Sequence, residues 1–262
     1  MLFAIDVGNT NIVLGVFDGE QLTQSWRLAT MRERTADEMG ILVTGLFERA
    51  GLDLARIDGI ILSSVVPPLT RPVEEMAQRY FGRAPLTVEP ATNAGMPVRY
   101  EPPADVGADR IVNGVAAYEA YGRAARAPVI VVDFGTATTF DVISADGEYL
   151  GGVICPGIGI SADALFQRAA RLPRVDVRKP PTVVGQTTVT SMQSGLYFGY
   201  VAMVDGIVAR MRGEIAGGAR AVCVATGGMA DVLAADMTAI QHVSSDLTLQ
   251  GLRLIWERNT PR

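Results

Sequence analysis

Hydrophobic residues along the chain fall into short runs punctuated by glycine, proline, asparagine and aspartate. Leu2-Phe3-Ala4-Ile5 leads into Asp6-Val7-Gly8-Asn9-Thr10-Asn11, an apolar run from Ile12 to Phe17 follows, and Asp18-Gly19 closes it. Two apolar runs around a tight polar turn predict a hairpin, with Asp-Gly signalling the next turn. Residues 21–29 read as a third strand. The period then changes. Thr35 and Glu38 have capping-box spacing, and Met39, Leu42, Val43, Leu46 and Phe47 line one face of a helix ending near Gly51. An apolar strand over 57–66 stops at Pro67-Pro68, a helix covers 70–81, and a short strand covers 86–88. Residues 92–105 are polar, proline-containing and irregular, as functional or mobile loops are. They deliver Tyr100 and then Gly107-Ala108-Asp109-Arg110, at the start of a helix running to about Tyr121.

Three strands, helix, strand, helix, strand is the ribonuclease-H-like order, a mixed sheet with crossover helices. The opening pattern also occurs twice. Ile130-Val131-Val132-Asp133-Phe134-Gly135-Thr136-Ala137-Thr138-Thr139-Phe140-Asp141 repeats it, and Asp146-Gly147-Glu148 closes it as Asp18-Gly19-Glu20 closed the first. One net inserted residue separates the two stretches. The repeat points to a duplicated α/β lobe, with residues 1–116 forming the N-terminal lobe and 117–262 the C-terminal one. Two facing lobes, each offering an Asp-x-Gly turn, make a cleft that grips a polyphosphate from both sides. The second lobe continues with a strand from Tyr149 to Cys155, Pro156-Gly157-Ile158-Gly159, a helix over 161–172 and a basic loop over 173–181. A long helix begins near Thr188, with Leu196, Tyr197, Tyr200, Val201 and Val204 as a stripe broader than one lobe needs. A strand over 219–225 ends in Thr226-Gly227-Gly228, a short helix starts at Met229, and a last helix spans 247–257.

Composition narrows the class. Nearly half of the 262 residues are hydrophobic, enough for a sizeable core, and a net charge of −5 without a basic run argues against a nucleic-acid surface. No apolar run reaches membrane-spanning length and no basic leader precedes the first strand, so a cytoplasmic protein is expected. Cys155 and Cys223 lie far apart in apolar runs and read as buried free thiols.

The candidate chemistry sits at the turns. Gly8 permits a sharp turn where a side chain would block a ligand, and Asn9, Thr10 and Asn11 offer amides and a hydroxyl. Backbone N–H groups there suit phosphate oxygens, and Asp6 suits a magnesium ion or its waters. Asp109 beside Arg110 at a helix start reads by default, taken in isolation, as an ordinary cap with a solvated charge. Thr226-Gly227-Gly228 allows close approach of a planar ligand or is a plain helix entry. The single histidine, His242, reads as surface.

With these residues in view the chain resembles type III pantothenate kinases, members of the superfamily of acetate and sugar kinases, heat-shock chaperone ATPases and actin. The resemblance rests on Asp6-Val7-Gly8-Asn9-Thr10, Gly107-Ala108-Asp109-Arg110, Asp133-Phe134-Gly135-Thr136-Ala137-Thr138-Thr139, Pro156-Gly157-Ile158, Gly185-Gln186-Thr187-Thr188 and Gln193-Ser194-Gly195. Thr187 departs from the pattern, since many relatives have Asn there. The first and third elements are superfamily phosphate loops; Gly-Ala-Asp-Arg is much more diagnostic.

The resemblance implies an actin-like ATPase fold and ATP-dependent phosphorylation of pantothenate, the first step of coenzyme A biosynthesis. It implies that Asp6, Val7, Gly8, Asn9, Thr10, Asn11, Ile12 and Val13 hold the ATP phosphates, with Thr136 helping from the other lobe. Asp109 becomes the proton acceptor. Tyr100, Gly107, Ala108, Asp109 and Arg110 enclose pantothenate, and Thr188 reaches it from the partner subunit of a homodimer. Asp133 becomes the ligand of a monovalent cation, potassium or ammonium, used alongside magnesium, and Thr226-Gly227-Gly228 lies near adenosine. An Asp with the ordinary pKa near ~4 is a poor base toward an alcohol. It suffices where the transition state is loose and the proton is accepted as the bond to phosphorus forms. Other readings of the same scaffold are a sugar or acetate kinase, an exopolyphosphatase, or a non-enzymatic accessory factor for transcription.

Overall fold

The computed structural model describes residues 1–260. Two sheets form, and they have the same topology. The first contains β1 (Leu2–Val7), β2 (Asn11–Asp18), β3 (Gln21–Ala29), β4 (Gly59–Ser64) and β5 (Leu86–Thr87), in the order β3-β2-β1-β4-β5. The second contains β6 (Val129–Phe134), β7 (Ala137–Ile143), β8 (Tyr149–Pro156), β9 (Val222–Thr226) and β10 (His242–Val243), in the order β10-β9-β6-β7-β8. In each, the second and third strands run antiparallel as hairpins, and the fourth joins the first strand in parallel. The helices are α1 (Ala36–Arg49), α2 (Pro67–Phe81), α3 (Ala108–Ala117), α4 (Ile158–Arg168), α5 (Thr188–Glu214), α6 (Ala230–Leu233) and α7 (Leu247–Asn259).

In the first unit, Phe3, Ile5, Val7, Leu14 and Leu62 face α1 and α2 and pack with Met39, Val43, Phe47, Val73 and Met76. Thr35 caps α1 as the sequence predicts: the Thr35 N–H donates to the Glu38 carboxylate at 2.8 Å, and the Glu38 N–H donates to the Thr35 hydroxyl at 3.3 Å. Leu42 does not join the buried face and is 40% exposed. Gly40 points inward instead, because a Cβ there would lie 2.2 Å from the Tyr80 ring that α2 sets against it. Pro67-Pro68 does not merely stop the strand; it opens α2, where a missing N–H costs nothing.

The final helix corrects the lobe boundaries expected from sequence. Among the described residues the compact units are 1–116 with the last helix from Leu247 onward, and 117–246. Helix α7 packs on the first sheet, not the second. Gly15 and Gly59 leave the hollows it fills, since a Cβ would lie 2.8 Å from Leu249 Cδ1 and 2.2 Å from the Trp256 ring. Gly251 brings α7 against α3, 2.1 Å being all that a Cβ would find before the Val112 carbonyl, and the Thr248 hydroxyl donates to the Asn113 side-chain carbonyl at 2.7 Å.

In the second unit, Leu196, Tyr197, Tyr200, Val204 and Val208 of α5 are buried against Ile130, Val132, Phe140, Cys223 and Ala225. The apolar stripe expected to exceed one lobe's needs is therefore spent on this unit's own core. The chain passes from α3 through a π-helical turn, Tyr118–Gly122, and Tyr121 stacks on the exposed His242 at 4.5 Å between ring centroids. Cys155 and Cys223 are free thiols, as expected, with Cys223 buried and Cys155 half-buried. Among the described residues no helix is long and apolar enough to cross a membrane.

Candidate active site

The sites begin where the first strand of each sheet ends. In the first unit the Gly8 N–H donates to the Asn11 carbonyl at 3.0 Å and closes the turn around Asn9 and Thr10, which are exposed. Thr30, at the end of β3, pins this turn from below: its hydroxyl donates to the Gly8 carbonyl at 2.7 Å and its N–H to the Thr10 carbonyl at 2.9 Å. Nothing in the sequence marks Thr30 for that role. Asp6 is half-buried, opposite Val13 on β2 and beside Ser63 on β4. The Ser63 hydroxyl is fully buried with no hydrogen-bond partner.

Asp109 joins this end of the sheet through Val65. The Val65 N–H donates to the Val7 carbonyl at 3.0 Å, and Val65 Cγ1 lies 3.5 Å from where a Gly107 Cβ would be. Gly107 must be bare for a second reason. The Asp109 carboxylate folds back toward it, so that a Cβ would meet Asp109 Oδ1 at 2.6 Å. In this pose Asp109 Oδ1 accepts the Arg110 N–H at 2.8 Å. Burial pushes the Asp109 carboxyl above its usual range, against the opposing pull of the Arg110 N–H and the Arg110 charge. The ordinary pKa expected from sequence is thus not the one the fold gives, and the change favours a proton acceptor. Arg110 itself is buried, and Tyr100 stands on the preceding loop with 37% exposure.

In the second unit the turn between β6 and β7 is tighter. Four residues, 8–11, separate the paired Val7 and Ile12, whereas three, 135–137, separate the paired Phe134 and Thr138. The single insertion read from sequence is the net of this shorter turn and a longer one at Ser144–Gly147. Thr136 is exposed, and its carbonyl lies against bare Gly157, where a Cβ would be 2.1 Å away. Asp133 lies opposite Thr139 and beside Thr226. Gly227, at φ +93°, backs its carboxylate so closely that a Cβ would stand 2.4 Å from Oδ1, and a Cβ at Gly135 would stand 3.4 Å away. Gly227 and Gly135 together leave a cradle around one carboxylate.

Thr188 stands apart from these turns. It opens α5, capped by the Thr187 hydroxyl, which accepts the Thr190 N–H at 3.1 Å. It lines an open groove of about 1070 Å³ between α4 and α5, together with Ser161, Leu165, Arg168, Met192 and Leu196.

A duplicated sheet with an Asp-x-Gly turn at the end of each first strand defines the class: a two-lobed actin-like ATPase fold, as in the sugar kinases. Solved structures agree. An inorganic polyphosphate/ATP-glucomannokinase from Arthrobacter sp. strain KM superposes with a TM-score of 0.53 at 15% identity, covering 97% of this chain and 96% of the other. The ethanolamine utilization protein EutJ from Carboxydothermus hydrogenoformans reaches 0.55 at 16% identity, covering 97% of this chain and 89% of the other. Likeness at that level is likeness of fold alone. Sequence goes further. The family profile described as type III pantothenate kinase matches residues 2–210. Type III pantothenate kinases of Moorella thermoacetica (54% identical, 99% of this chain, 100% of the other) and Myxococcus xanthus (55%, 99% of each) align along their whole length. The chain belongs to the type III pantothenate kinase family, and it is a kinase.

Proposed function

We propose that this kinase transfers the γ-phosphoryl group of ATP to pantothenate, giving 4'-phosphopantothenate, the first step of coenzyme A biosynthesis in the cytoplasm. The observation that carries the reading is Asp109, a carboxyl held above its usual range at a helix start and tied through Val65 to the strand that ends in the Asp6–Asn11 turn. The name borne by relatives more than half identical to this chain supplies the acceptor.

In this reading the N–H groups and side chains from Asp6 to Val13 bind the phosphates of magnesium-ATP, Asp6 facing the magnesium or its waters, and Thr136 adds a hydroxyl from the second turn. Tyr100, Gly107, Ala108 and Arg110 enclose pantothenate, whose carboxylate suits the buried Arg110 guanidinium. Asp109 orients the acceptor hydroxyl and takes its proton as the oxygen–phosphorus bond forms and the bond to ADP breaks. Because the transition state is loose, orientation and a modestly basic carboxylate suffice.

The cradle at Asp133 fits a monovalent cation, potassium or ammonium. The donors at hand there are the Asp133 carboxylate and neutral oxygens, with Thr139 opposite it and Thr226 beside it. When bound, the cation offsets repulsion between Asp133 and phosphate oxygens. A homodimer completes the reading. Thr188 lies on the α4–α5 groove, near which Ile160, Leu165, Phe166, Val183, Val184 and Val189 are exposed, an apolar surface suited to a second copy that shares Thr188 with its neighbour's site.

Incubation with ATP and pantothenate, followed by phosphorus NMR and mass spectrometry, tests the proposal. One new phosphomonoester on the terminal hydroxyl of pantothenate is expected. ATP consumption that leaves pantothenate unmodified would overturn it.

A further inference from the structure

Because the two sheets share one strand order, the first serves as an internal control for the second. On β2, the residue opposite Asp6 is Val13, and the next residue on that face is Gly15, opposite Ala4. On β7, the residue opposite Asp133 is Thr139, and the next on that face is Asp141, opposite Val131. The fold does not require polar groups there, since its duplicate has none. Yet Asp141 is fully buried and held by a built arrangement. The Thr139 hydroxyl donates to Asp141 Oδ2 at 3.1 Å, and the Tyr149 hydroxyl, from β8, donates to Asp141 Oδ1 at 2.8 Å. Residues directly opposite in such a ladder have Cβ atoms about 5 Å apart, and diagonal neighbours about 7–8 Å. A second carboxylate thus stands one step behind the first, joined to its cross-strand partner by a hydroxyl.

We propose that Asp141 is a positioning residue for the monovalent cation at Asp133. By accepting the hydrogen bond of the Thr139 hydroxyl it turns the lone pairs of that neutral oxygen toward Asp133, and its own charge strengthens the site's hold on a cation. Tyr149 fixes the Asp141 carboxylate in that role. Groups that orient and polarise a ligand atom in this way set metal affinity as well as geometry. The inference rests on the cation reading above.

Thermal unfolding of the nucleotide-free protein, with potassium chloride replacing choline chloride at constant ionic strength, reads cation binding without turnover. In the wild type the Tm rises with potassium and saturates, and in Asp133→Ala it stays flat. In Asp141→Asn and Thr139→Val the half-saturating potassium concentration rises about tenfold or more, within the 10–100-fold range for lost orienting partners. Tyr149→Phe shifts it the same way but less. Unchanged half-saturation in Asp141→Asn and Thr139→Val, whatever their baseline Tm, overturns the proposal and leaves Asp141 a structural residue. A wild type indifferent to potassium overturns the cation reading at Asp133 itself. Should Asp141→Asn fail to fold, Tyr149→Phe, which frees the Asp141 carboxylate and keeps the Thr139 oxygen, decides: an unchanged half-saturation there overturns the proposal.

Discussion

In the proposed reaction, replacing Asp109 by Asn removes the proton acceptor and changes little else. The Asn carbonyl can still accept the Arg110 N–H that Asp109 Oδ1 accepts at 2.8 Å, and the space left by Gly107 remains. A positioned general base contributes about 10²–10⁴ in rate. At about 1.36 kcal/mol per decade, kcat should fall by about 2.7–5.5 kcal/mol of barrier with ATP binding intact. Stability should move the other way. Burial raises the folded carboxyl's pKa above its unfolded value, so the folded state binds the Asp109 proton more tightly than the unfolded chain does. The stability this gives is fully present below the unfolded pKa, near ~3.9, and is lost as pH rises through the folded pKa. At pH 7–8 the wild type therefore carries a desolvated charge that the Asn variant lacks. Each ~1 kcal/mol relieved raises Tm by about 2–4 °C in a chain of this size. Calorimetry from pH 4 to 8 should show the variant's advantage growing with pH, and steady-state kinetics should show the loss of kcat. A variant within threefold of wild-type kcat, or one whose relative Tm falls as pH rises, would refute the reasoning.

Three further outcomes follow from the same geometry. Gly227→Ala forces a Cβ to 2.4 Å from Asp133 Oδ1 at φ +93°, so it should cost about 2–4 kcal/mol in urea unfolding and abolish the potassium dependence of turnover; a neutral result would show that the cradle yields freely. Leu252→Ala, fully buried in α7, should cost about 2–5 kcal/mol while leaving both KM values unchanged, measured by denaturation and kinetics. Mixing Asp109→Asn with Thr188→Arg, each inactive alone, should restore activity after subunit exchange, because each mixed dimer holds one site with both residues intact; no recovery despite demonstrated exchange would place Thr188 outside a shared site.

The strands and the first helix cap were legible because their signals are local. Alternation, Asp-Gly turns and the Thr35–Glu38 pair need no partner to be read. What was not legible depended on a partner not yet placed. Gly40, Gly15, Gly59 and Gly251 are hollows only once Tyr80, Leu249, Trp256 and the Val112 carbonyl stand against them, which is why Leu42 was expected inside and α7 was assigned to the wrong unit. The two-residue β10 carries too little pattern to be seen, and α4 begins at Ile158, three residues before its expected start, because Gly157 supplies the extended cap. The Asp-x-Gly turns and Gly107–Arg110 were visible as candidate chemistry. The burial that raises the Asp109 pKa was not, since it appears only when the chain folds and sets Val65 against Gly107. Asp141 was in view within the repeat but became distinctive only when register set it opposite the place that Gly15 holds in the other sheet.

The acceptor is the claim on which the rest depends, and ADP release measures it most directly. With saturating ATP, magnesium and potassium, initial rates are compared for pantothenate, glucose, N-acetylglucosamine, acetate, polyphosphate and no acceptor. A kcat/KM for pantothenate at least a hundredfold above every alternative, lost in Asp109→Asn, is the predicted result. A sugar or acetate turned over as well as pantothenate, or ADP release indifferent to acceptor, would contradict the account.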